Sequence, residues 1–213
     1  MGKDGDGGYI IADGFKYDLL ISGGIADDDS FERAFLDANP DIECYAYDGS
    51  ISDAPHPLIP RLNFFKKNIS HKNSETTTNL HKLISSYNDI FLKMDIEGYE
   101  FPWIYSLNND QLNRFKQITI EIHRPFHEIG GHCLEALART HYLIHLHGNS
   151  CCQTRKIKNI DVPNVFECTY IRKIDMNEVP ALSSASIPSP LDQINAYSED
   201  IHLSGFPYSI TNN

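Results

Sequence analysis

What constrains this chain most is a recurring pattern: apolar runs of strand length alternate with amphipathic segments of helical period. Residues 17–22, 42–47, 61–67, 90–94, 118–122, 143–146 and 165–171 read as strands. Residues 31–39, 76–87, 99–107 and 130–140 read as helices. Phe31, Ala34, Phe35 and Ala38 share one face of the first helix, and Pro40 stops it. Strands alternating with helices give a largely parallel sheet covered on both faces. The last two strands are joined by a non-helical stretch, residues 147–164, which predicts an antiparallel final pair. The expected class is α/β: a doubly wound sheet, mostly parallel with an antiparallel last strand. Residues 1–174 form the expected domain. Beyond Lys173 the chain turns rich in Ser, Pro and Asn, so residues 175–213 read as an extension packing on or near it.

A length of 213 residues suits one such domain. No apolar run approaches the roughly 18 residues that cross a bilayer, so no membrane partner is expected. The start, Met1-Gly2-Lys3-Asp4-Gly5-Asp6, lacks the apolar core of a signal peptide, which predicts a cytoplasmic setting. Its abrupt glycine-rich opening also fits a domain of a larger protein. The net charge is −11, and Lys and Arg are scattered apart from Lys66-Lys67 and Arg155-Lys156-Lys158, which disfavours a nucleic-acid partner. Five cysteines without CxxC spacing point to reduced thiols, Cys44 and Cys168 buried in apolar runs and Cys151-Cys152 in a loop.

In an open α/β sheet, ligands bind beyond the carboxyl ends of the strands. Five strand ends here turn polar or glycine-rich where a buried sheet would continue apolar. They are Ser22-Gly23-Gly24, Asp48-Gly49-Ser50, Asp95-Ile96-Glu97-Gly98, Glu121-Ile122-His123 and His147-Gly148-Asn149. Gly23 and Gly24 permit either a tight turn or a close approach of backbone to ligand. Asp48 can accept the hydroxyl hydrogens of a ribose or cap a turn. The first turn is not GxGxxG, and Asp27-Asp28-Asp29 repels a pyrophosphate at the next helix start. A cationic sulfonium has the opposite requirement. A sulfonium nucleoside is thus favoured over NAD, whose Rossmann oxidoreductases remain the rival reading, with a non-catalytic binding module a further one.

Asp95, Glu97, Glu121, His123 and His147 gather at the later strand ends. Such a set can hold a divalent metal, magnesium or manganese, with Asp95, Glu121 and His147 as ligands. It can equally supply a general base without metal. Asp95 and Glu121 are the first candidates for that catalytic duty, followed by His123 and His147. The plainer alternatives make Glu97 a helix cap and His123 a satisfied hydrogen-bonding group. Tyr99 and Trp103 stack on a sugar face or pack as core, and Trp103 leans to core.

The string Leu92-Lys93-Met94-Asp95-Ile96-Glu97-Gly98-Tyr99-Glu100 resembles the K-x-D-x-E-G-x-E signature of FkbM-type methyltransferases. Asp6-Gly7-Gly8-Tyr9, Ser22-Gly23-Gly24-Ile25, Ser30-Phe31-Glu32 and Tyr47-Asp48 are similar to leading blocks of that group. His147-Gly148-Asn149 and Glu167-Cys168-Thr169-Tyr170 are similar to its late motifs. The resemblance spans residues 4–173 and implies a class I methyltransferase fold, Rossmann-like, with seven strands. It further implies S-adenosylmethionine held near Gly23, Gly24, Asp48, Gly49 and Ser50, with the Asp6, Gly7, Gly8 and Tyr9 loop closing over it. Asp6 would meet the methionine ammonium. The implied reaction is O-methylation of a small-molecule or glycan acceptor, often a sugar hydroxyl; non-sugar and protein acceptors stay open.

Overall fold

A computed structural model of the chain describes residues 1–57, 59–196 and 199–209. In chain order the elements are β1 (Leu19–Gly23), α1 (Ser30–Ala38), β2 (Cys44–Tyr47), β3 (Leu62–Phe65), β4 (Asn68–Ile69), β5 (Thr77–Thr78), α2 (His81–Ile84), β6 (Ile90–Met94), α3 (Glu100–Tyr105), α4 (Asn109–Leu112), β7 (Phe115–His123), α5 (Gly130–Thr140), β8 (His141–Gly148), β9 (Thr154–Ile157), β10 (Ile160–Pro163) and β11 (Val165–Arg172). Seven strands form one sheet in the order β3-β2-β1-β6-β7-β11-β8. All neighbours are parallel except β11, which runs antiparallel to both β7 and β8.

The strands are apolar on both sides because both sides are covered. Leu20 and Phe91 join α1 residues Phe31, Phe35 and Leu36 in one cluster. Leu19, Ile21, Ile90 and Leu92 join α3 and α5 residues Phe101, Trp103, Ile104, Cys133 and Leu137 in the other. This is the period-two alternation of a strand read out as two cores. Helix α1 ends without a basic residue in its last turn. Arg61 compensates, donating to the carbonyls of Leu36, Asn39 and Ile42 at 2.8–3.0 Å. Where no helix covers β7 and β11, the extended N-terminal segment does so: Gln117 exchanges hydrogen bonds with the Ala12 backbone, and the Thr169 hydroxyl donates to the Ile10 carbonyl.

The sequence pattern over residues 76–87 predicts one helix, and the structure divides it. Thr77–Thr78 pairs in parallel with Asn68–Ile69, and only His81–Ile84 is helical. Three consecutive threonines are branched at Cβ and favour extended backbone, and left-handed Leu80 (φ 61°) separates the two parts. The non-helical stretch before β11 contains the antiparallel hairpin β9–β10, turned by Lys158 and Asn159 at positive φ. The described part of the extension crosses the β8–β11 strand ends. Asp192 approaches His145 at 2.8 Å, Asn195 donates to Glu167, and Asp200 meets His147 at 2.9 Å. Residues 197, 198 and 210–213 of that extension lie outside the described residues. Among the described residues no helix is long and apolar enough to cross a membrane.

His141 predicts the acid limb of stability. It is 1% exposed, its Nε2 lies 2.8 Å from the Phe115 carbonyl, and burial pushes its pKa down from 6.5 to about 4. A depressed histidine contributes stability that is complete above pH 6.5 and lost as pH falls through 4. Roughly 3 kcal/mol should disappear across that window. Urea midpoints followed against pH check this; His141→Gln should flatten the acid slope, and an unchanged slope would assign it elsewhere.

Candidate active site

Strand order reverses between β1 and β6, which is where an open α/β sheet forms its ligand crevice. A cavity of about 430 Å³ opens at that point. Gly24 and Ala26 line it from β1, Tyr47, Asp48 and Ser50 from β2, and Asp95, Ile96, Glu97 and Tyr99 from β6. Its size falls within the roughly 300–1,000 Å³ of small-molecule sites. Asn68, Ile69, Ser70 and Thr77 complete the wall from the β4–β5 pair, which the helical reading of residues 76–87 concealed.

The glycines serve the turn. A Cβ on Gly24 would stand 1.7 Å from the Asp95 carbonyl oxygen, and its φ is +74°. A Cβ on Gly23 would meet Ile69 Cδ1 at 2.6 Å. Gly49 N–H donates to Asn68 at 3.1 Å. Asp48 braces the same turn: Oδ2 accepts from the N–H groups of Ile25 and Ala26, and Oδ1 from Ser50 N–H and Oγ. Burial opposes its charge, yet these bonds hold the carboxyl below its usual range. All four acceptor positions are engaged, and Ser50 Oγ is the one partner outside the backbone.

The N-terminal loop lies against this edge. Met1 and Tyr9 exchange backbone hydrogen bonds, Gly7 has φ +91°, and a Cβ on Gly8 would strike the Lys3 carbonyl. Tyr9 is buried with Lys93 Nζ 5.7 Å from its ring centroid. Asp6 stays exposed, and its charge still reaches Glu121.

Three acidic residues crowd the β6 and β7 ends. Glu121 is buried and accepts from Asn149 Nδ2 at 2.8 Å. Burial, then the charges of Asp95 and Glu167, push its pKa up to about 9. Asp95 is also pushed up, chiefly by burial, and its Oδ1 has no hydrogen-bond partner among the described residues. Glu100 is fully buried; Oε1 accepts from Ile96 N–H, Gly98 N–H and His123 Nδ1, while Oε2 has no partner among the described residues. Thus Glu100, rather than Glu97, braces the 95–98 turn before α3, whose start has no side-chain cap; the Glu97 side chain is 84% exposed and lies 3.4 Å from His123 Nε2.

The two histidines are each surrounded by carboxylates that favour the protonated ring. Burial opposes charge on His123, but Glu100, Glu121 and Asp95 raise its pKa to about 9. His147 is raised to about 9 in the same way, with Glu167 at Nδ1 (3.1 Å) and Asp200 at Nε2 (2.9 Å). Both shifts favour the protonated ring at neutral pH, in which each nitrogen faces a carboxylate. The ligand-type atoms drawn together within 4.8 Å of one another belong to Asp95, Glu100 and His123. The structure therefore draws the metal-type group differently from the sequence expectation of Asp95, Glu121 and His147, because both His147 nitrogens are already taken. Glu100 and Asn149 stood in quoted motifs without an assigned role. Trp103 is core, its Nε1 donating to the Asn79 carbonyl, and Tyr99 is 61% exposed.

A seven-stranded sheet of this order, covered on both faces and carrying its cavity at the switch point, defines an α/β domain of the class I methyltransferase type. The chain belongs to the FkbM methyltransferase domain family, whose model matches residues 15–150. Membership implies S-adenosylmethionine as methyl donor. No curated protein matches the chain. Among solved structures it is similar to precorrin-6y C5,15-methyltransferase from Geobacter metallireducens, at 10% identity and TM-score 0.41 over 75% of this chain and 83% of that one. It is similar to a predicted O-methyltransferase from Agrobacterium tumefaciens, at 8% and 0.37 over 73% and 74%. TrmN from Thermus thermophilus aligns at 10% and 0.40 over 74% and 44%.

Proposed function

We propose that the chain is an O-methyltransferase that uses S-adenosylmethionine to methylate a hydroxyl, most naturally of a sugar in a glycan or glycoconjugate, in the cytoplasm. The observation that carries this reading is the unpartnered Asp95 Oδ1 at a cavity placed on the switch point of a methyltransferase-family sheet. The cavity suits the donor: Ile69, Ile96 and Tyr47 offer an apolar wall to a base, and the Asp95 and Glu97 carboxylates suit a cationic group. When bound, S-adenosylmethionine supplies an electrophilic methyl group. Asp95 takes the acceptor hydroxyl proton at Oδ1, and its raised pKa makes it a better base than an ordinary carboxylate. Glu121, largely protonated, can donate a hydrogen bond. His123 and His147 orient the carboxylates around them. The exposed Tyr99 ring at the rim offers a face for a sugar ring.

The Asp95, Glu100 and His123 group also fits a hard divalent cation such as magnesium or manganese, provided that His123 gives up its ring proton when the ion binds. Such an ion would lower the pKa of a hydroxyl. Two measurements test the proposal. S-adenosylhomocysteine should raise the thermal midpoint where NAD does not; the reverse result would favour the oxidoreductase reading. Methyl transfer to a panel of saccharides should stop with EDTA and return with manganese. Transfer unchanged by EDTA would remove the cation and leave Asp95 as base, and transfer confined to non-sugar acceptors would overturn the substrate class.

A further inference from the structure

Beside the β7 end lies a second hollow, of about 550 Å³, that the proposed methyl-transfer chemistry does not use. Arg124, His127 and Arg155 line it together with Phe126, Gln153 and Thr154, and no carboxylate does. In a chain of net charge −11, two arginines and a histidine make a local positive field that favours a negatively charged occupant. The Arg155 guanidinium stands 5.3 Å from the Phe126 ring centroid, which orients its plane. Arg124 adopts left-handed backbone at φ 53°, and its N–H is tied to the Asn164 carbonyl at 3.1 Å. Ile129 N–H donates to His127 Nδ1 at 3.3 Å, which leaves Nε2 to carry the ring proton. Among the described residues, arginine ion pairs are made by Arg33 and Arg172, and neither Arg124 nor Arg155 has one.

The hollow adjoins the reacting edge. Arg124 directly follows His123, and its side chain reaches the 97–98 turn, where a Cβ on Gly98 would stand 3.5 Å from Arg124 Nε. Glu97 of that turn lines the donor cavity. We propose that Arg124, Arg155 and His127 bind a phosphoryl group carried by the acceptor, so that the substrate is a phosphorylated or nucleotide-linked sugar. Two guanidinium forks match the oxygens and double charge of a phosphoryl group better than a lone ammonium would. Such an anchor places the sugar at the 97–98 turn and offsets the repulsion an anionic acceptor meets at the Asp95 and Glu97 carboxylates. The inference rests on the proposed function only in naming the bound group as part of the acceptor.

Calorimetric titration with glucose 1-phosphate, glucose and glucuronate tests it, on the wild type, Arg124→Gln/Arg155→Gln and Arg33→Gln. Glucose 1-phosphate should bind the wild type saturably and glucose should not. The double variant, folded by its circular dichroism, should bind about tenfold more weakly, a loss of about 1.4 kcal/mol. Arg33→Gln, which lies in a different hollow, should bind as the wild type does. Equal binding by wild type and double variant overturns the site, as does absence of saturable binding. Glucuronate binding as tightly as glucose 1-phosphate overturns the phosphoryl assignment in favour of a carboxylate. These titrations need no methyl donor, so a chain that ignores S-adenosylhomocysteine yet binds glucose 1-phosphate would fail the proposed function alone.

Discussion

Asp95→Asn is expected to lower turnover about a thousandfold, the middle of the range for a lost general base, while the protein stays folded. The amide has nearly the same shape but cannot take a proton from the acceptor hydroxyl. Stability should hold or rise, because Asp95 is an unfavourable charge: burial pushes its pKa up, and Glu97 and Glu100 add to that push. The substitution has a second readout that a merely structural role would not move. The Asp95 charge is the largest contribution after burial to the raised pKa of Glu121. Removing it should bring the Glu121 titration down from about 9, measurable by carbon-detected NMR. Affinity for S-adenosylhomocysteine should change little, since the remaining cavity wall is intact. Turnover within a few fold of wild type would remove Asp95 from the reaction.

Gly24→Ala is expected to be among the most damaging single-methyl additions in the chain. The residue sits at φ +74°, where an L side chain is strained, and the new Cβ would stand 1.7 Å from the Asp95 carbonyl oxygen and 2.8 Å from its carbon. Neither neighbour is the free end of a side chain. Both are backbone at the join of β1 and β6, where Asp95 N–H donates to the Gly23 carbonyl at 2.9 Å and Lys93 Nζ donates to the Gly24 carbonyl. Strain and displacement together should cost about 3–5 kcal/mol, read from denaturant midpoints. The displaced backbone carries Asp95 with it, so donor affinity should fall as well. Gly14→Ala is the control: its φ of +85° imposes similar strain, but no atom lies within 4 Å of the added Cβ. That variant should lose only about 1–2 kcal/mol and keep its affinity. Equal losses in the two would mean that the β1–β6 junction yields freely.

Periodicity carried much of the fold. Leu19, Leu20 and Ile21 are apolar without alternation because helices cover both faces, and that signature is visible before any contact is known. Residues 90–94 and 130–140 match observed elements end for end. The failures have local causes. Residues 76–87 carry leucines at helical spacing, but the threonines are drawn into pairing with Asn68–Ile69, and such pairing has no local trace. The β9–β10 hairpin was hidden for a different reason: its exposed residues 154–157 show no apolar alternation.

The site was legible as a set of positions and illegible as a set of roles. Polar strand tips at Asp48, Asp95 and Glu121 follow from where a buried sheet must end. Whether Asp48 faces a ligand or its own turn depends on Ile25, Ala26 and Ser50, and the structure shows it facing all three. His123 and His147 read equally well as bases. Carboxylates from other elements, Glu100 for one and Glu167 and Asp200 for the other, raise their pKa values and weaken them as bases.

What the sequence alone determined is the class of sheet, the edge on which polar strand tips collect and the family signature around Asp95, because hydrophobic period and strand-end composition are local properties. The shifts of the buried carboxyl and histidine groups, the replacement of Glu97 by Glu100 as the bracing carboxylate, and the placing of Arg124 and Arg155 around one hollow belong to the tertiary structure alone. Each is set by charges and burial contributed by segments far apart in the chain, and electrostatic energy follows distance in space, not separation in sequence.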